Sequence, residues 1–380
     1  MVRRLLQGTV TVLLVLGLGW AGAAWPAQAD APETQTVVLH PTRVAYLRID
    51  FDYNFKNALP PFANEPALTG KKTARGLIPT VPPTPILRNI TDNELYVKAD
   101  HSPDFSLGSS VMYQSRYDGH VLFENLQVST EQDSLAIPYT IRMYTYESGC
   151  AGWFEVLSGW SGRFDLDGRT WTLGIVDNLD GQIDDRDLLS LSVSKETREA
   201  LFIRDCPVPQ TLFFAGHALH LGFSFKAVAS EIILEATLAE IRPAMGQLDI
   251  QAEGCSHLRL REDRQMVLLS RPAGTISLPV GNYRVDNCIL HSGSNERMAP
   301  RFVSCDRTVS IRPSQTTAFS VGAPLRNSVE VSQERNLLRL RHQLTGAAGE
   351  RYECLDPRNG PSFTIYKGPL KIAGGTFPFG

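Results

Sequence analysis

The sequence predicts an all-β protein built from two to three β-sandwich modules. Segments rich in β-branched and aromatic residues are ~4 to 8 residues long, and turn residues separate them every ~8 to 12 positions. Several of these segments alternate apolar and polar residues, as expected when successive side chains point to opposite faces of a sheet. Only residues 231–241 fit a helix as well as they fit strands. A series of short alternating strands separated by regularly spaced turns is typical of β-sandwich proteins.

The first 29 residues have the features of a secretory signal peptide. Arg3 and Arg4 provide the positive charge, residues 10–20 form the apolar stretch, and residues 27–29 (Ala-Gln-Ala) give the cleavage pattern. Glycines in the apolar stretch and a proline after it disfavour a permanent membrane span. We therefore expect export to the periplasm, the cell surface or the extracellular space, with no transmembrane span after cleavage.

The charge of the remaining chain argues against polyanionic partners. Without the first 29 residues the chain has 351 residues, and the loss of Arg3 and Arg4 leaves 35 basic against 40 acidic side chains. A nucleic-acid or anionic-membrane partner would require a strong basic bias. We therefore expect no nucleic-acid partner. A chain of this length predicts more than one domain.

The cysteines predict disulfide bonds. An even number of cysteines in an exported chain favours disulfides, although six allow fifteen pairings. No CxxC or CxxxC spacing occurs, which disfavours a thiolate metal site or a redox motif. The preferred pair is Cys288 and Cys305, because these residues flank a predicted loop between strands. The six cysteines after the cleavage site are Cys150, Cys206, Cys255, Cys288, Cys305 and Cys354.

An N-terminal β-rich domain is expected over residues 30–207. Residues 59–85 are rich in proline and glycine and are expected to form an irregular loop. Asp167 and Gly168 supply the turn of a predicted hairpin. The hairpin is predicted at residues 163–172, and the other strands at residues 36–39, 44–51, 94–97, 121–123, 139–146, 152–160 and 188–193.

Two further modules are expected after this domain. Residues 208–320 form a middle β-sandwich, and residues 321–380 form a C-terminal β module. The middle strands are predicted at residues 212–214, 220–227, 248–251, 258–260, 266–269, 275–278 and 283–288. The C-terminal strands are predicted at residues 328–332, 337–342, 363–366 and 370–373.

Four stretches of the chain carry a resemblance to known families. Residues 95–104, residues 174–181, and residues 322–325 taken with 344–352 and 375–380 resemble an uncharacterised family of exported bacterial proteins made of β-sandwich modules. Residues 272–285 end in Leu-Pro-Val-Gly-Asn-Tyr-Arg-Val and are similar to prealbumin-like or carboxypeptidase-regulatory-type domains. The resemblance implies immunoglobulin-like or prealbumin-like modules, and it implies no particular activity.

An acidic loop is the densest group of candidate ligands. The β-like residues 171–176 lead into a loop that contains five aspartates and one glycine. Calcium prefers six to eight oxygen ligands, so the loop predicts a structural calcium site. The alternative is a tight turn in which Asp and Asn side chains bond their own backbone. The candidate ligands are Asp177, Asn178, Asp180, Asp184 and Asp187.

The tryptophans after the cleavage site form the second candidate site. Trp153, Trp160 and Trp171 lie within one short span, beside Asp165, Asp167 and Asp177. Exposed aromatic rings stack on sugars, so this region could bind or process a carbohydrate. The alternative is that these rings belong to the core or to cross-strand pairs.

The leading functional hypothesis is an exported, non-enzymatic β-sandwich protein with a structural or binding role in the cell envelope. Calcium is the one cofactor that the acidic loop suggests, and envelope components or glycans are the expected partners. No nucleophile elbow, His-Glu-x-x-His motif, phosphate-binding loop or dinucleotide fingerprint occurs, and no catalytic residue is assigned. The rivals are a carbohydrate-binding or carbohydrate-processing protein and a hydrolase without a recognisable motif.

Overall fold

The computed structural model confirms the all-β prediction. All secondary-structure elements in its described residues are strands, and none of those residues belongs to a helix that is long and apolar enough to cross a membrane. The expected signal peptide, Cys150, Cys305 and Cys354 lie outside the described part. The structure describes residues 33–54, 59, 61–63, 73–92, 94–98, 101, 110–112, 115–117, 120–146, 151–193, 203–290, 301–304, 307–335, 337–353 and 362–377.

The first part of the chain forms two connected groups of antiparallel strands. The expected irregular loop at residues 59–85 is wrong in part, because residues 73–78 and 84–85 lie in paired strands and the prolines cluster in the turn between them. The strands are β1 (Thr34–Asn54), β2 (Thr73–Ile78), β3 (Thr84–Asn89), β4 (Glu94–Val97), β5 (Ser110–Met112), β6 (Ser115–Tyr117), β7 (His120–Gln132), β8 (Leu135–Tyr146), β9 (Ala151–Leu166), β10 (Arg169–Val176), β11 (Leu188–Val193) and β12 (Ile203–Pro207).

Strand β9 organises the larger of these groups. It pairs with β1 along one edge, while its other edge pairs first with β8 and then with β10. Strands β7 and β6 continue outward from β8, and β11 and β12 continue from β10. The smaller group is the four-stranded sheet β2–β3–β4–β5.

The apolar faces of these strands enclose a first core. Strand β8 shows why they pack in this way, because Ile137, Tyr139, Ile141 and Met143 are buried at alternating positions. This confirms the predicted alternation of residues 139–146 along most of its length. The first core also contains Phe123, Phe154, Trp160, Trp171, Leu173 and Leu189.

The middle of the chain adds a second core between two sheets. All but the last of the ambiguous residues 231–241 form a strand, β15 (Glu231–Glu240), in which Leu234, Ala236 and Leu238 are buried at every second position. The strands are β13 (Thr211–Phe214), β14 (His217–Val228), β15 (Glu231–Glu240), β16 (Met245–Gln251), β17 (Cys255–Glu262), β18 (Gln265–Ser270), β19 (Gly274–Pro279), β20 (Gly281–Leu290), β21 (Arg301–Ser304), β22 (Thr308–Ile311) and β23 (Thr316–Ser320).

The two cores share strands. The second core contains Leu248 and Phe319 from the sheet β19–β16–β23, and Leu260, Tyr283 and Ile311 from strands of the larger sheet. Strand β13 contributes Leu212 and Phe214 to the first core and Phe213 to the second. The region directly after residue 207 therefore lies between both cores. The module boundary expected there stays a prediction.

The chain ends in hairpins that are largely exposed. The hairpin of β24 (Arg326–Glu334) and β25 (Leu337–Thr345) is called the C-terminal ribbon below, and β26 (Arg351–Glu353) continues its sheet. The ring of Phe377 packs against Phe363 and His342, at centroid distances of 4.8 Å and 5.4 Å. The strands are β24 (Arg326–Glu334), β25 (Leu337–Thr345), β26 (Arg351–Glu353), β27 (Ser362–Lys367) and β28 (Leu370–Thr376).

Candidate functional site

The acidic loop joins β10 to β11. These strands are paired up to Val176 and Leu188, so residues 177–187 form the connection of a hairpin. The backbone of the loop has positive φ angles at Leu179 (81°) and Gly181 (76°). A Cβ atom at Gly181 would lie 2.9 Å from the side chains of Thr130 and Gln132. Position 181 therefore requires glycine, both because of its backbone conformation and because β7 approaches it closely.

Asp177 is the centre of the loop. Its side chain is fully buried (0 % exposed). Its Oδ1 accepts hydrogen bonds from the backbone N–H groups of Leu179, Asp180 and Gly181, at 2.6, 3.0 and 3.3 Å. Its Oδ2 accepts a hydrogen bond of 2.8 Å from the hydroxyl of Tyr139 on β8. One carboxylate thus closes the turn and ties it to the neighbouring strand.

Asp187 closes the other end of the loop in the same way. It is also buried. Its Oδ1 accepts from the N–H of Asn178 at 2.7 Å, and its Oδ2 accepts from the N–H of Asp184 at 2.6 Å. The side-chain oxygen of Asn178 accepts from the N–H of Asp180 at 3.1 Å. The loop therefore satisfies much of its buried backbone with its own side chains.

Arg186 neutralises the outer acids of the loop. Its Nη2 lies 2.7 Å from Asp180 Oδ2 and 2.7 Å from Asp184 Oδ2. These bonds lower the pKa of Asp184. The structure thus brings all five predicted ligands into one loop. The pairing of Arg186 with these two aspartates was not predicted from the sequence, although a single arginine within a run of aspartates was the available signal.

The inner acids have raised pKa values. Burial raises the pKa of Asp177 to about 6, and the hydrogen bonds from Tyr139 and the backbone do not offset it. Burial, with the nearby charge of Asp177, raises the pKa of Asp187 to about 8. The folded loop therefore binds protons more tightly than the unfolded chain, and negative charge at its centre is costly.

The geometry matches the backbone-bonded turn, which was the alternative to calcium binding. The oxygens of Asp177 and Asp187 accept N–H groups of the loop. Within the described residues, no group of three or more His, Cys, Asp or Glu side chains could hold a metal ion. The calcium site stays a prediction.

A melting experiment separates the two interpretations of the loop. We expect the same midpoint of thermal unfolding in calcium and in EDTA, because backbone N–H groups already occupy the inner carboxylates. A bound ligand at ~100 times its dissociation constant would add about 2.7 kcal/mol, which would raise the midpoint by several degrees. A rise of that size that Asp180→Asn abolishes would establish the calcium site instead.

Two of the three candidate tryptophans are core residues. Trp160 and Trp171 are 2 % and 3 % exposed. Trp160 packs edge-on against Tyr139 and Phe225, and Trp171 packs edge-on against Phe214. The expected exposed face of three tryptophans is therefore wrong for these two. The physical reason is that both side chains point inward from their strands, so a sugar cannot reach the rings.

Trp153 belongs instead to an outer aromatic cluster. Its ring stacks on Tyr144 at a centroid distance of 4.7 Å and an angle of 11°. The rings of His120 and Tyr146 lie 4.8 Å and 6.3 Å from it. The register explains this arrangement, because His120 pairs with Tyr146 and Tyr144 pairs with Trp153 across neighbouring strands. We call His120, Tyr144, Tyr146 and Trp153 the outer aromatic cluster.

Charged side chains lie beside the outer aromatic cluster. Arg142 forms an ion pair with Glu155, and Glu124 lies 4.0 Å from its Nη1. The guanidinium of Arg142 also lies 5.8 Å from the ring centre of Tyr144. Tyr144 and Tyr146 were not among the residues that the sequence pointed to. The available signal was the alternation of β8, which places them on the face opposite Ile141 and Met143.

A histidine between two carboxylates was also missed. His217 Nε2 lies 3.0 Å from Asp167 Oδ1, in the turn between β9 and β10, and its Nδ1 lies 3.1 Å from Glu240 Oε1. Partial burial lowers the pKa of His217, but the bonds to Asp167 and Glu240 outweigh that effect and raise it overall. Both ring nitrogens can donate only when the ring is protonated. The cluster therefore favours the imidazolium form.

The raised pKa of His217 predicts a pH-dependent contribution to stability. The contribution is fully present below about pH 6.5, the ordinary pKa of histidine, and is lost as the pH rises through the higher folded-state pKa. Asp177 and Asp187 also bind protons more tightly in the folded state, so the informative quantity is the difference between variants. We expect His217→Gln to lower the midpoint of thermal unfolding near pH 5.5 and to have a smaller effect near pH 9.

The matched control for this pH dependence is His220→Gln, which changes an exposed histidine on the same strand. We expect it to change the midpoint little at either pH, because the side chain is exposed. If His217→Gln lowered the midpoint equally at both pH values, protonation of His217 would have no part in stability.

The fold defines a class: an all-β protein whose described strands form several sheets around two apolar cores. No family model matches the chain, and the searches of curated proteins and of solved structures find no match either. The resemblance to exported β-sandwich proteins therefore stays a prediction.

Proposed function

We propose that this chain is an exported, non-enzymatic β-sandwich protein with a structural or binding role in the cell envelope. The observation that carries the binding role is the amphipathic C-terminal ribbon, whose apolar face is exposed. Export is supported by the basic, apolar and small-residue segments of the first 29 residues.

Most apolar side chains of the C-terminal ribbon share one face, while Leu337 lies with the charged side chains on the other. Val331 pairs with Leu340, and Val329 pairs with His342, so these residues share one face. Glu330 pairs with Arg341 on the opposite face. Val331 and Leu338 are 59 % and 50 % exposed. Exposed apolar side chains grouped on one face are typical of surfaces that bind another molecule.

The hairpin of β27 and β28 also exposes apolar side chains, on both of its faces. Tyr366, Leu370 and Ile372 of β27 and β28 are each more than half exposed. Burial of apolar surface contributes roughly 25 cal/mol for each Å², so a partner that covered the apolar face of the C-terminal ribbon would gain appreciable binding energy. In a structural or binding role, the partner would cover this exposed apolar face of the C-terminal ribbon.

The binding role is tested by co-sedimentation of the purified protein with washed cell-envelope fragments. We expect the double variant Val331→Lys and Leu338→Lys to lose sedimentation, because it places charge on the apolar face of the ribbon. The matched control places lysine at Ser328 and Ser332 on the charged face and is expected to sediment normally. Equal sedimentation of both variants would contradict a role for the apolar face.

Export is tested separately by expressing the full chain in a bacterial host. We expect the protein in the periplasmic or extracellular fraction, with its N-terminus at Asp30. Retention of residues 1–29 on a cytoplasmic product would contradict export.

A second candidate function is carbohydrate binding, which the outer aromatic cluster favours. Tyr146 is 48 % exposed and lies beside Trp153, and Arg142 and Glu155 can bond hydroxyl groups nearby. Glycan-array binding tests this function. We expect Trp153→Ala to weaken any glycan signal about tenfold, which corresponds to about 1.4 kcal/mol. The control Tyr366→Ala changes an exposed aromatic residue on β27 and is expected to leave the glycan signal unchanged. An array on which the unchanged protein gives no signal would reject carbohydrate binding.

A further inference from the structure

A bulge in β17 brings two cysteines onto one inward face. Leu258 pairs with Cys288, and His257 pairs with Ile289, but the next pair is Cys255 with Leu290. Ser256 is therefore an extra residue in β17, and its hydroxyl donates to the carbonyl of Ile289 at 2.9 Å. In a regular ladder Ser256 would pair with Leu290, and Cys255 would point away from the second core. With it, Cys255 lies diagonally across from Cys288 on the same face.

The two sulfur atoms are close neighbours. Cys255 Sγ lies 3.3 Å from Cys288 Sγ, and both side chains are buried. A disulfide bond is ~2.05 Å long, so side-chain rotations that move the two sulfur atoms about an ångström closer would join them. The hydroxyl of Tyr352 lies 3.5 Å from Cys288 Sγ and 2.8 Å from Glu350 Oε1. Once the two thiols have lost their protons and formed a disulfide, the Tyr352 hydroxyl can still donate its hydrogen bond to Glu350.

We infer that Cys255 and Cys288 form a disulfide bond that locks β17 to β20 across the second core. This pair replaces Cys288 and Cys305 as the preferred pairing of Cys288. Cys206 lies in the first core, where its Sγ donates to the carbonyl of Leu189 at 3.3 Å. It belongs to a different core from Cys255 and Cys288.

The oxidant is a disulfide, either of a small molecule or of an oxidoreductase. One protein thiolate attacks the oxidant's disulfide and displaces one thiol, which leaves a mixed disulfide. The second protein thiolate attacks the sulfur of the first cysteine and displaces the second thiol. Two protein thiols are oxidised, and one external disulfide is reduced to two thiols. Because both cysteines are buried in the folded protein, this exchange precedes closure of the second core.

The position of the bond determines what it constrains. Residues 255–288 include β17, β18, β19 and most of β20, which supply many side chains of the second core. A bond that closes this segment restricts the unfolded chain and raises stability. We expect the oxidised protein to melt several degrees above the reduced protein. Burial of both sulfurs also predicts that dithiothreitol reduces the bond slowly until denaturant is added.

Peptide mapping under non-reducing conditions tests the pairing. The full chain is refolded with oxidised glutathione, its free thiols are alkylated, and it is cleaved with trypsin. All six cysteines fall on different tryptic peptides. We expect residues 227–259 linked to residues 285–297. A link from residues 285–297 to residues 302–307, which contain Cys305, would overturn the inference, and so would alkylation of both Cys255 and Cys288.

A variant gives a second readout that does not disturb the pair. Cys305→Ser removes the competing partner, and we expect the linked peptide to form in the same yield. Loss of the link in Cys305→Ser would overturn the inference. Refolding in glutathione tests the pair without any export step, so failure of export in cells would affect only the proposed function.

Discussion

Replacing Asp177 with alanine is expected to lower the free energy of unfolding by about 3 to 5 kcal/mol. Each buried donor that loses its acceptor costs about 1 to 3 kcal/mol. The change leaves three backbone N–H groups and the hydroxyl of Tyr139 without the carboxylate that accepts their hydrogen bonds. Urea unfolding followed by fluorescence measures the loss.

The matched control for Asp177→Ala is Asp185→Ala. Asp185 lies in the same loop, but it is exposed. We expect a change within about 0.5 kcal/mol, as is usual for surface substitutions. Asp177→Asn should fall between the two variants, because an amide keeps one acceptor oxygen. If Asp177→Ala cost no more than Asp185→Ala, the carboxylate would not be what holds the loop.

Replacing Trp160 with alanine is expected to cost about 3 to 5 kcal/mol, the usual range for a large aromatic residue removed from a core. The ring is buried between Tyr139 and Phe225. The alanine variant leaves a cavity that these rings cannot fill without shifting. Urea unfolding with an unchanged m-value would show that the loss is one of stability and not of compactness.

Trp153→Ala is the matched control for the core tryptophan. Trp153 lies on the outer face and is only partly buried, so we expect a clearly smaller loss of stability than for Trp160→Ala. The two variants thus separate a structural tryptophan from a candidate binding residue. A larger loss for Trp153 would place the more important packing in the outer aromatic cluster.

Strand-level features of this chain could be predicted from sequence because they depend on local periodicity. The alternation of β8 and the Asp167–Gly168 turn are both read from neighbouring residues, and both are found. Residues 231–241 were ambiguous because their apolar residues fit both periods. Pairing with β14 and with the first residues of β1 decides in favour of a strand.

For the acidic loop, the sequence indicated which residues belong to the loop but not which groups they bond to. The loop at residues 177–187 was visible as a run of aspartates, but the donor to Asp177 is Tyr139, which lies 38 residues earlier. The acids that flank His217 lie 50 and 23 residues away from it. The position of Cys255 depends on a bulge of one residue. Such partners are fixed by strand register, which composition and spacing do not encode.

The long strand β1 imposes an order on folding. Its first residues pair with β15, where Thr34 lies opposite Ala239, and its later residues pair with β9. The first of the described strands to leave the ribosome must therefore wait for partners that are made about one hundred to two hundred residues later. Such non-local pairing slows folding. A chain that stays unfolded for this time exposes the apolar faces of its unpaired strands to other chains until its sheets close.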